Sequence, residues 1–178
     1  MSKRDDILSA AAKLFRENGA RSTSTKSIAL EAKTSEALIF KYFGTKEGLL
    51  EEIIKKGYKE ATKIIVPNLM EKDALSYILK IVEIPHILVV ANPSFWKMQH
   101  KIMALNPISQ KYHDNFMKPC FDRLKQAFSE LKYENSELEA QLLLIYVEGM
   151  WRYFARSQDN LKHGEELIKL MKLKYDSH

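Results

Sequence analysis

Groups suited to binding a large anion are concentrated in the first fifty residues. This stretch carries nine lysines and arginines against six aspartates and glutamates, whereas the remaining 128 residues carry 19 against 17. Thr25, Ser35 and Thr45 each stand where a helix is expected to begin. A helix N-terminus binds anions because its free amides and dipole present positive charge. The net charge of +5 permits a nucleic-acid partner without requiring one.

Arrangements typical of enzymes are missing from the sequence. It contains no glycine-rich phosphate loop, no nucleophile elbow and no paired carboxylates in a recognisable setting. His86, His100 and His113 lack the i,i+4 pairing that would indicate a metal site. Cys120 is the only cysteine, which excludes an internal disulfide and leaves a redox sensor or, as the favoured interpretation, a buried inert thiol. We therefore expect no enzyme, no metal and no cofactor.

The positions of apolar residues predict the elements that carry these groups. Apolar residues recur at helical spacing along the chain, which predicts an all-α fold of about nine helices. Segment 25–43 would form two short crossed helices, with Ile28, Ile39 and Phe43 in their core and Lys33-Thr34 at the turn. The major groove of B-DNA, about 12 Å wide, admits one helix braced by another. The pattern therefore predicts a helix-turn-helix reading head.

The segment from Ile7 to Leu50 resembles the N-terminal domain of the TetR family of bacterial transcriptional regulators. The match consists of correctly spaced blocks over about a quarter of the chain: Ile7-Leu8-x-x-Ala11-x-x-Leu14-Phe15, Gly19, Thr25-x-x-Ile28-Ala29-x-x-Ala32, Ser35, Phe40-x-Tyr42-Phe43 and Lys46-x-x-Leu49-Leu50. The resemblance implies a three-helix DNA-binding head at residues 1–48, followed by a larger helical effector-binding and dimerisation body at 49–178.

The resemblance also implies which side chains meet DNA. The helix beginning at Ser35 would be the recognition helix, and its residues expected to face base edges are Glu36, Ala37, Leu38 and Lys41. Thr25, Tyr42 and Lys46 match family positions that contact phosphates and set register. The full expected set is Thr25, Lys26, Ser35, Glu36, Ala37, Leu38, Phe40, Lys41, Tyr42 and Lys46.

Three positions of the recognition helix bear on what it can read. Ala37 stands where the family often has glycine, and Phe40 where it often has tyrosine. Phe40 can still pack or meet a thymine methyl group, but it has no hydroxyl to offer a phosphate. Leu38 is bulky and apolar at a position expected to face the groove, so its contact with thymine methyl groups is a hypothesis.

A dimer surface is expected because helix-turn-helix proteins usually bind two successive turns of the major groove. Segment 138–154 is apolar on nearly every face, so it would be buried by both the body's core and a partner subunit. In the family, the last two helices build a four-helix dimer bundle, here 137–157 and 160–175. The expected interface residues are Leu142, Ile145, Gly149 and Tyr153. A central core helix of a monomer is the alternative.

The sequence only suggests a ligand pocket. Aromatic and methionine residues suit a large, adaptable apolar pocket, and several fall in segments that line the effector cavity of TetR-like proteins. They are Trp96, His100, Met103, Phe116, Met117, Phe121, Tyr146 and Trp151. The same residues also suit a plain hydrophobic core.

The leading hypothesis is a homodimeric repressor that binds a palindromic double-stranded DNA operator and is released by a small apolar effector. One alternative is a ligand-independent DNA-binding architectural or cell-division factor. A second is a helical small-molecule-binding protein without operator function. The N-terminus lacks a secretory signal pattern, and the uninterrupted apolar stretches are shorter than a membrane span, so we expect a cytoplasmic protein without a membrane partner.

Overall fold

The computed structural model describes residues 2–70 and 73–176, and every regular element in those ranges is a helix. The predicted all-α fold is confirmed. In chain order the ten helices are α1 (Lys3–Asn18), α2 (Thr25–Glu31), α3 (Glu36–Phe43), α4 (Lys46–Asn68), α5 (Ala74–Ala91), α6 (Pro93–Met103), α7 (Pro107–Glu130), α8 (Ser136–Arg156), α9 (Gln158–Lys162) and α10 (Gly164–Lys172).

The described chain contains one helix more than the sequence predicts, because its last segment is divided. His163 ends α9 with φ −94° and ψ 5°, and α10 begins at the next residue, Gly164. A Cβ atom at Gly164 would lie 2.3 Å from the ring of His86 on α5. The missing side chain therefore lets the start of α10 approach α5 closely.

The chain forms two compact units. The first unit contains Met1–Glu60 and Ser94–His113, and the second contains Ala61–Pro93 and Asp114–His178. Both α4 and α7 therefore contribute residues to each unit. The sequence predicts two domains that are continuous along the chain, with a boundary after residue 48, and this boundary stays a prediction.

Hydroxyl side chains begin the first four helices. The residue before each helix accepts a hydrogen bond from a backbone amide of the first turn: Ser2 from Asp5 at 3.2 Å, Ser24 from Ser27 at 3.0 Å, Ser35 from Leu38 at 3.2 Å and Thr45 from Gly48 at 2.9 Å. Each bond satisfies an amide that the helix leaves unpaired and contributes about 1 kcal/mol. These caps fix where α2 and α3 begin relative to the turn between them.

Apolar side chains of the first four helices form the core of the first unit. The fully buried ones include Ile7, Ala11, Phe15, Ile28, Ile39, Leu49 and Ile54. Burial of a large aliphatic side chain contributes about 1.5–3 kcal/mol. Phe43, predicted as a core residue, is only partly buried. The guanidinium of Arg4 lies 5.2 Å from its ring centroid and also pairs with Glu52 at 2.8 Å, so a cation covers the remaining face.

Helix α6 is attached to both α1 and α4 within the first unit. Lys101 Nζ donates hydrogen bonds to the carbonyl oxygens of Arg16 at 3.3 Å and Glu17 at 2.5 Å, at the negative end of α1. Arg16 in turn donates to Ser94 Oγ at 2.9 Å. On α4, a Cβ atom at Gly57 would lie 2.0 Å from the ring of Phe95, so this glycine permits the close approach of α6.

A buried hydrogen-bond cluster links α4, α6 and α7 in the first unit. Gln99 Nε2 donates to the hydroxyl of Tyr58 at 2.8 Å and to the carbonyl oxygen of Ser109 at 3.3 Å. The Tyr58 hydroxyl also lies 3.1 Å from Nδ1 of His113. All four residues are buried. Because buried polar groups are costly to leave unsatisfied, the cluster specifies how these three helices pack.

In the second unit, α5 packs against α8 and α10. Its apolar side chains, including Ile78, Ile81 and Val82, join Leu124, Phe128, Leu143 and Val147 in one core. With a mean hydropathy of 1.7, α5 is the one helix in the described ranges that is long and apolar enough to cross a membrane. Half of this helix is buried inside the protein, as expected for a helix of a hydrophobic core.

The buried cluster generates a stability prediction. Tyr58→Phe removes a hydroxyl that serves both Gln99 and His113, so we expect the free energy of unfolding to fall by about 1–3 kcal/mol. Urea denaturation followed by circular dichroism measures the change. Tyr112→Phe is the matched control, because the Tyr112 hydroxyl donates to Glu51 at the surface and its removal should cost under about 0.5 kcal/mol. Equal losses of stability in the two variants would contradict the role assigned to Tyr58.

Candidate nucleic-acid interface

A tight turn joins α2 to α3 at the position that the sequence predicts. The amide of Lys33 donates to the carbonyl of Leu30 at 3.1 Å, and the amide of Thr34 donates to that of Ala29 at 2.9 Å. Lys33 adopts φ +50°, a left-handed conformation that costs a residue with a side chain about 1 kcal/mol. The change of direction between α2 and α3 therefore depends on one strained backbone conformation, that of Lys33.

Helix α3 buries one face and exposes the others. Ile39 is fully buried, whereas Ala37 and Lys41 are exposed on the opposite side. Phe40 and Tyr42 are 47% and 43% exposed, high fractions for aromatic side chains. An amphipathic helix that keeps short, aromatic and basic side chains in solvent can enter a major groove.

The other predicted DNA-binding residues lie at the edges of this exposed face. Ser35 and Lys26 are exposed, while Leu38 is partly buried. Ser35 uses its hydroxyl to cap α3, so it serves the helix as well as any ligand. The turn and caps bring α3 and the first turn of α2 together, which is where the sequence predicts DNA contacts.

The Thr25 hydroxyl is already engaged in this structure. Its oxygen lies 2.5 Å from Oε2 of Glu36, so its single proton is donated to that carboxylate. Both residues are partly buried. The hydrogen bond to Glu36 uses only the side chain of Thr25. The backbone amides at the start of α2 therefore stay available to a phosphate.

Lys46 holds the loop that precedes α2. Its ammonium donates to the carbonyl oxygens of Ala20 at 2.9 Å and Thr23 at 3.0 Å. The Thr23 side chain is buried and donates to the carbonyl of Gly19 at 2.8 Å. Two of the three ammonium hydrogens are therefore committed inside the protein, which leaves one for a phosphate.

Most of the exposed charged side chains on α2, α3 and the turn between them are basic. Glu31 forms a salt bridge of 2.7 Å with Lys13, which raises the pKa of Lys13. Within residues 20–46, all of which the structure describes, Arg21, Lys26, Lys33 and Lys41 are exposed and have no ion pair. Exposed cations without ion pairs can neutralise phosphates of DNA and release its counterions.

The second unit contains a cavity of about 530 Å³. It lies between the second half of α4, the first turns of α5 and the middle of α7. Its lining is mostly apolar, with Arg123 over the ring of Tyr77 at 5.1 Å. The lining residues are Thr62, Ile65, Val66, Leu69, Met70, Tyr77, Asn115, Phe116, Pro119, Cys120 and Arg123. Size and composition suit a small organic ligand.

Of the residues predicted for a ligand pocket, Phe116 lines this cavity. Met117 and Trp151 are buried in the second unit, and the Trp151 ring centroid lies 6.1 Å from that of Phe116. Phe121 packs against the core of that unit. Tyr146 lies on the exposed side of α8 and does not line this cavity.

The remaining three pocket predictions fall on α6 in the first unit. Trp96 is buried with its ring centroid 4.8 Å from that of Phe95 and 5.6 Å from that of Tyr58, so it belongs to an aromatic core. His100 and Met103 are partly buried. Ile65, Val66 and Leu69 line the cavity but were not predicted from the sequence. The apolar run in the second half of α4 is the sequence feature that could have indicated them.

Cys120 is a buried thiol that lines the cavity. Burial raises its pKa to about 11, and the thiolate is therefore rare at neutral pH. Because the thiolate is the reactive form, the inert interpretation is favoured over a redox sensor. The structure assembles no group of three or more metal-ligating side chains within residues 2–70 and 73–176.

The predicted dimer residues form an exposed apolar stripe on α8. Leu142, Ile145 and Tyr153 recur along one side of the helix, and Leu142 and Ile145 are 46% and 60% exposed. Leu138, which was not among the predicted residues, extends the same stripe. Gly149 lies on the same stripe, and a Cβ atom there would meet nothing within 4 Å. The opposite face of α8 is buried through Leu143, Val147 and Trp151.

Comparison with known proteins identifies the N-terminal segment. Residues 7–53 match the model of the bacterial regulatory proteins of the tetR family. The HTH-type transcriptional regulator HbdR of Aromatoleum sp. (strain CIB) is 50% identical over 48 residues, which are 27% of this chain and 21% of HbdR. This chain thus spans about a fifth of that curated relative.

Two further similarities extend over nearly the whole chain. Nucleoid occlusion factor SlmA of Aliivibrio fischeri (strain MJ11) is 27% identical over 171 residues, covering 88% of this chain and 85% of SlmA. The crystal structure of AibR with isovaleryl coenzyme A and operator DNA superposes with a TM-score of 0.73, at 19% identity over 95% of this chain and 97% of AibR. At that identity the superposition shows a common fold.

The two lysines of the interface should behave differently. Lys46→Met removes two hydrogen bonds to backbone carbonyls, so we expect the free energy of unfolding to fall by about 1–2 kcal/mol. Lys41→Met is the matched control, because Lys41 is exposed and its substitution should change stability by under about 0.5 kcal/mol. Thermal and urea denaturation measure both. Unchanged stability in Lys46→Met would show that its hydrogen bonds do not support the loop.

Proposed function

Because this chain belongs to the tetR family of bacterial regulatory proteins, whose members are DNA-binding transcriptional regulators, we propose that it is a repressor. In this proposal it binds a palindromic operator as a homodimer and is released when a small molecule occupies the second unit. We propose no catalytic role. Because its target is chromosomal DNA, the protein acts in the cytoplasm.

The observation that carries this proposal is the exposed face of α3. Helix α3 is braced by α2 and keeps Ala37, Lys41 and Tyr42 in solvent. Lys26 on α2 and Lys33 in the turn before α3 are exposed and have no ion pair. A face of this kind combines groups that can read base edges with cations that neutralise phosphates. The crystal structure of AibR with operator DNA supports the same use of the fold.

The cavity in the second unit supports response to a small molecule. A volume of about 530 Å³ accommodates a ligand of ordinary metabolite size. The AibR structure contains isovaleryl coenzyme A, so a protein of this fold binds an acyl compound. A ligand changes DNA affinity only if it binds the DNA-free and DNA-bound conformations unequally. Release by ligand therefore requires the cavity to differ between these conformations.

A second candidate function is that of a DNA-binding cell-division factor that needs no ligand. The observation in its favour is the match to SlmA, which extends over 88% of this chain, whereas the match to HbdR extends over 27%. The mostly apolar cavity favours the ligand-responsive regulator, because a factor acting only through DNA and protein contacts does not need one.

Specific DNA binding can be tested by selecting operators from genomic fragments and measuring affinity by fluorescence anisotropy at several salt concentrations. We expect one enriched sequence and an affinity that falls steeply as salt rises, because phosphate contacts release counterions. Lys41→Met should weaken binding and make the salt slope shallower by about 1 for each phosphate that is no longer neutralised. Binding without any sequence preference would contradict operator recognition.

The apolar stripe of α8 supports a homodimer and generates a separate prediction. Ile145→Glu places a charge in the proposed interface, so we expect the dimer to dissociate and operator affinity to fall by about tenfold or more. Sedimentation equilibrium measures the mass. Val90→Glu is the control, because Val90 on α5 is 55% exposed and lies outside the stripe. If Ile145→Glu remains a dimer with unchanged operator affinity, the dimer interface does not include this stripe.

A further inference from the structure

The carboxylate of Glu36 is held in place at the start of the proposed reading helix. The hydroxyl of Thr25 on α2 donates a hydrogen bond of 2.5 Å to Oε2 of Glu36 on α3. We propose that Glu36 is a specificity-determining residue that selects cytosine at one position of each operator half-site, and that Thr25 is the residue that orients it. The inference rests on the proposed function, because it names what one side chain of that interface reads.

The charge of Glu36 is conspicuous at this place. Residues 20–46 are all described, and they contain two acidic residues, of which Glu31 pairs with Lys13 at 2.7 Å. Glu36 has the Thr25 hydroxyl as its partner and no ion pair. DNA phosphates repel such a carboxylate, so it weakens binding unless it gains a compensating contact in the groove. A base that donates a hydrogen bond supplies that contact.

The position of Glu36 has a local explanation as well. A carboxylate in the first turn of a helix is favoured by the helix dipole, and α3 begins at Glu36. That explanation accounts for an acidic residue but not for a hydrogen bond to a different helix. The bond fixes a flexible side chain before DNA arrives, so less conformational entropy is lost on binding.

The chemistry of a carboxylate determines which base it can select. An ionised carboxylate only accepts hydrogen bonds, and Thr25 occupies one of its two oxygens, which leaves Oε1 to meet a donor. In the major groove, cytosine presents the N4 amino group as a donor. Guanine presents the acceptors N7 and O6, and thymine presents O4. Adenine carries the acceptor N7 beside its amino group, so it suits a carboxylate less well than cytosine.

The test compares the base preferences of four purified proteins, the natural chain and three variants, on a library of operators with each half-site position randomised. For the natural protein, we expect cytosine at one position of each half-site, and replacement by guanine should weaken binding on the order of tenfold. Glu36→Gln keeps the shape of the side chain but can donate as well as accept. Because an amide pairs with N6 and N7 of adenine, the preference at that position should move to adenine while the others stay the same.

Two further variants separate reading from folding. Thr25→Val keeps the shape of Thr25 and removes its hydroxyl, so discrimination at the same position should decrease while cytosine remains preferred. Glu31→Gln makes the same chemical change on α2 that Glu36→Gln makes on α3. Because it removes a negative charge outside the proposed reading position, it should strengthen binding to all DNA sequences alike. Circular dichroism during thermal unfolding verifies that each variant is folded.

The outcomes distinguish this inference from the proposed function. Identical base preferences in the natural protein and in folded Glu36→Gln would overturn the role of Glu36. A Thr25→Val variant with undiminished discrimination would overturn the orienting role of Thr25. If the natural protein enriches no sequence at all, the proposed function itself fails, because there is then no operator to read.

Discussion

Burial of Ile39 is the constraint on which the proposed DNA interface depends. A helix turns by about 100° per residue, so the direction of one buried side chain sets the direction of every other side chain on α3. With Ile39 fully buried, Ala37 and Lys41 must point away from the core, and Glu36 must lie at the side that faces α2. Any change that rotated α3 by half a turn would bury Lys41 and expose Ile39, which the hydrophobic effect and the cost of burying a charge both oppose.

Polar contacts around this core determine the positions of the groups that were predicted to bind phosphates. Lys46 and Thr25 were expected to meet phosphates, yet both make hydrogen bonds within the protein: Lys46 to the loop before α2, and Thr25 to Glu36. A side chain can serve both purposes, because an ammonium has three donors and a helix start has free backbone amides. Lys46 and Thr25 are therefore part of the scaffold of the proposed interface, so their substitution is expected to change stability as well as any DNA affinity.

Helix α8 has an apolar sequence on nearly every side, yet only one of its faces is buried in the core of the second unit. Its run of leucine, isoleucine, tyrosine and valine has no polar face in the sequence, but the structure divides it into a buried row with Leu143 and Val147 and an exposed row with Leu142 and Ile145. The buried row belongs to the core of the second unit. The exposed row lacks such cover within the described chain, and a Cβ atom at Gly149 would meet nothing within 4 Å.

Local physical chemistry was enough to derive much of the fold from the sequence. The helical periodicity, the caps at Ser35 and Thr45 and the turn at Lys33 depend on residues a few positions apart, so their consequences can be worked out along the chain. Tertiary structure alone decided the rest. The Thr25–Glu36 contact, the cavity beside Ile65 and the aromatic packing of Trp96 each join residues from different helices. Which aromatic or methionine residue lines a cavity, and which fills a core, depends on that long-range packing, because both environments favour the same side chains.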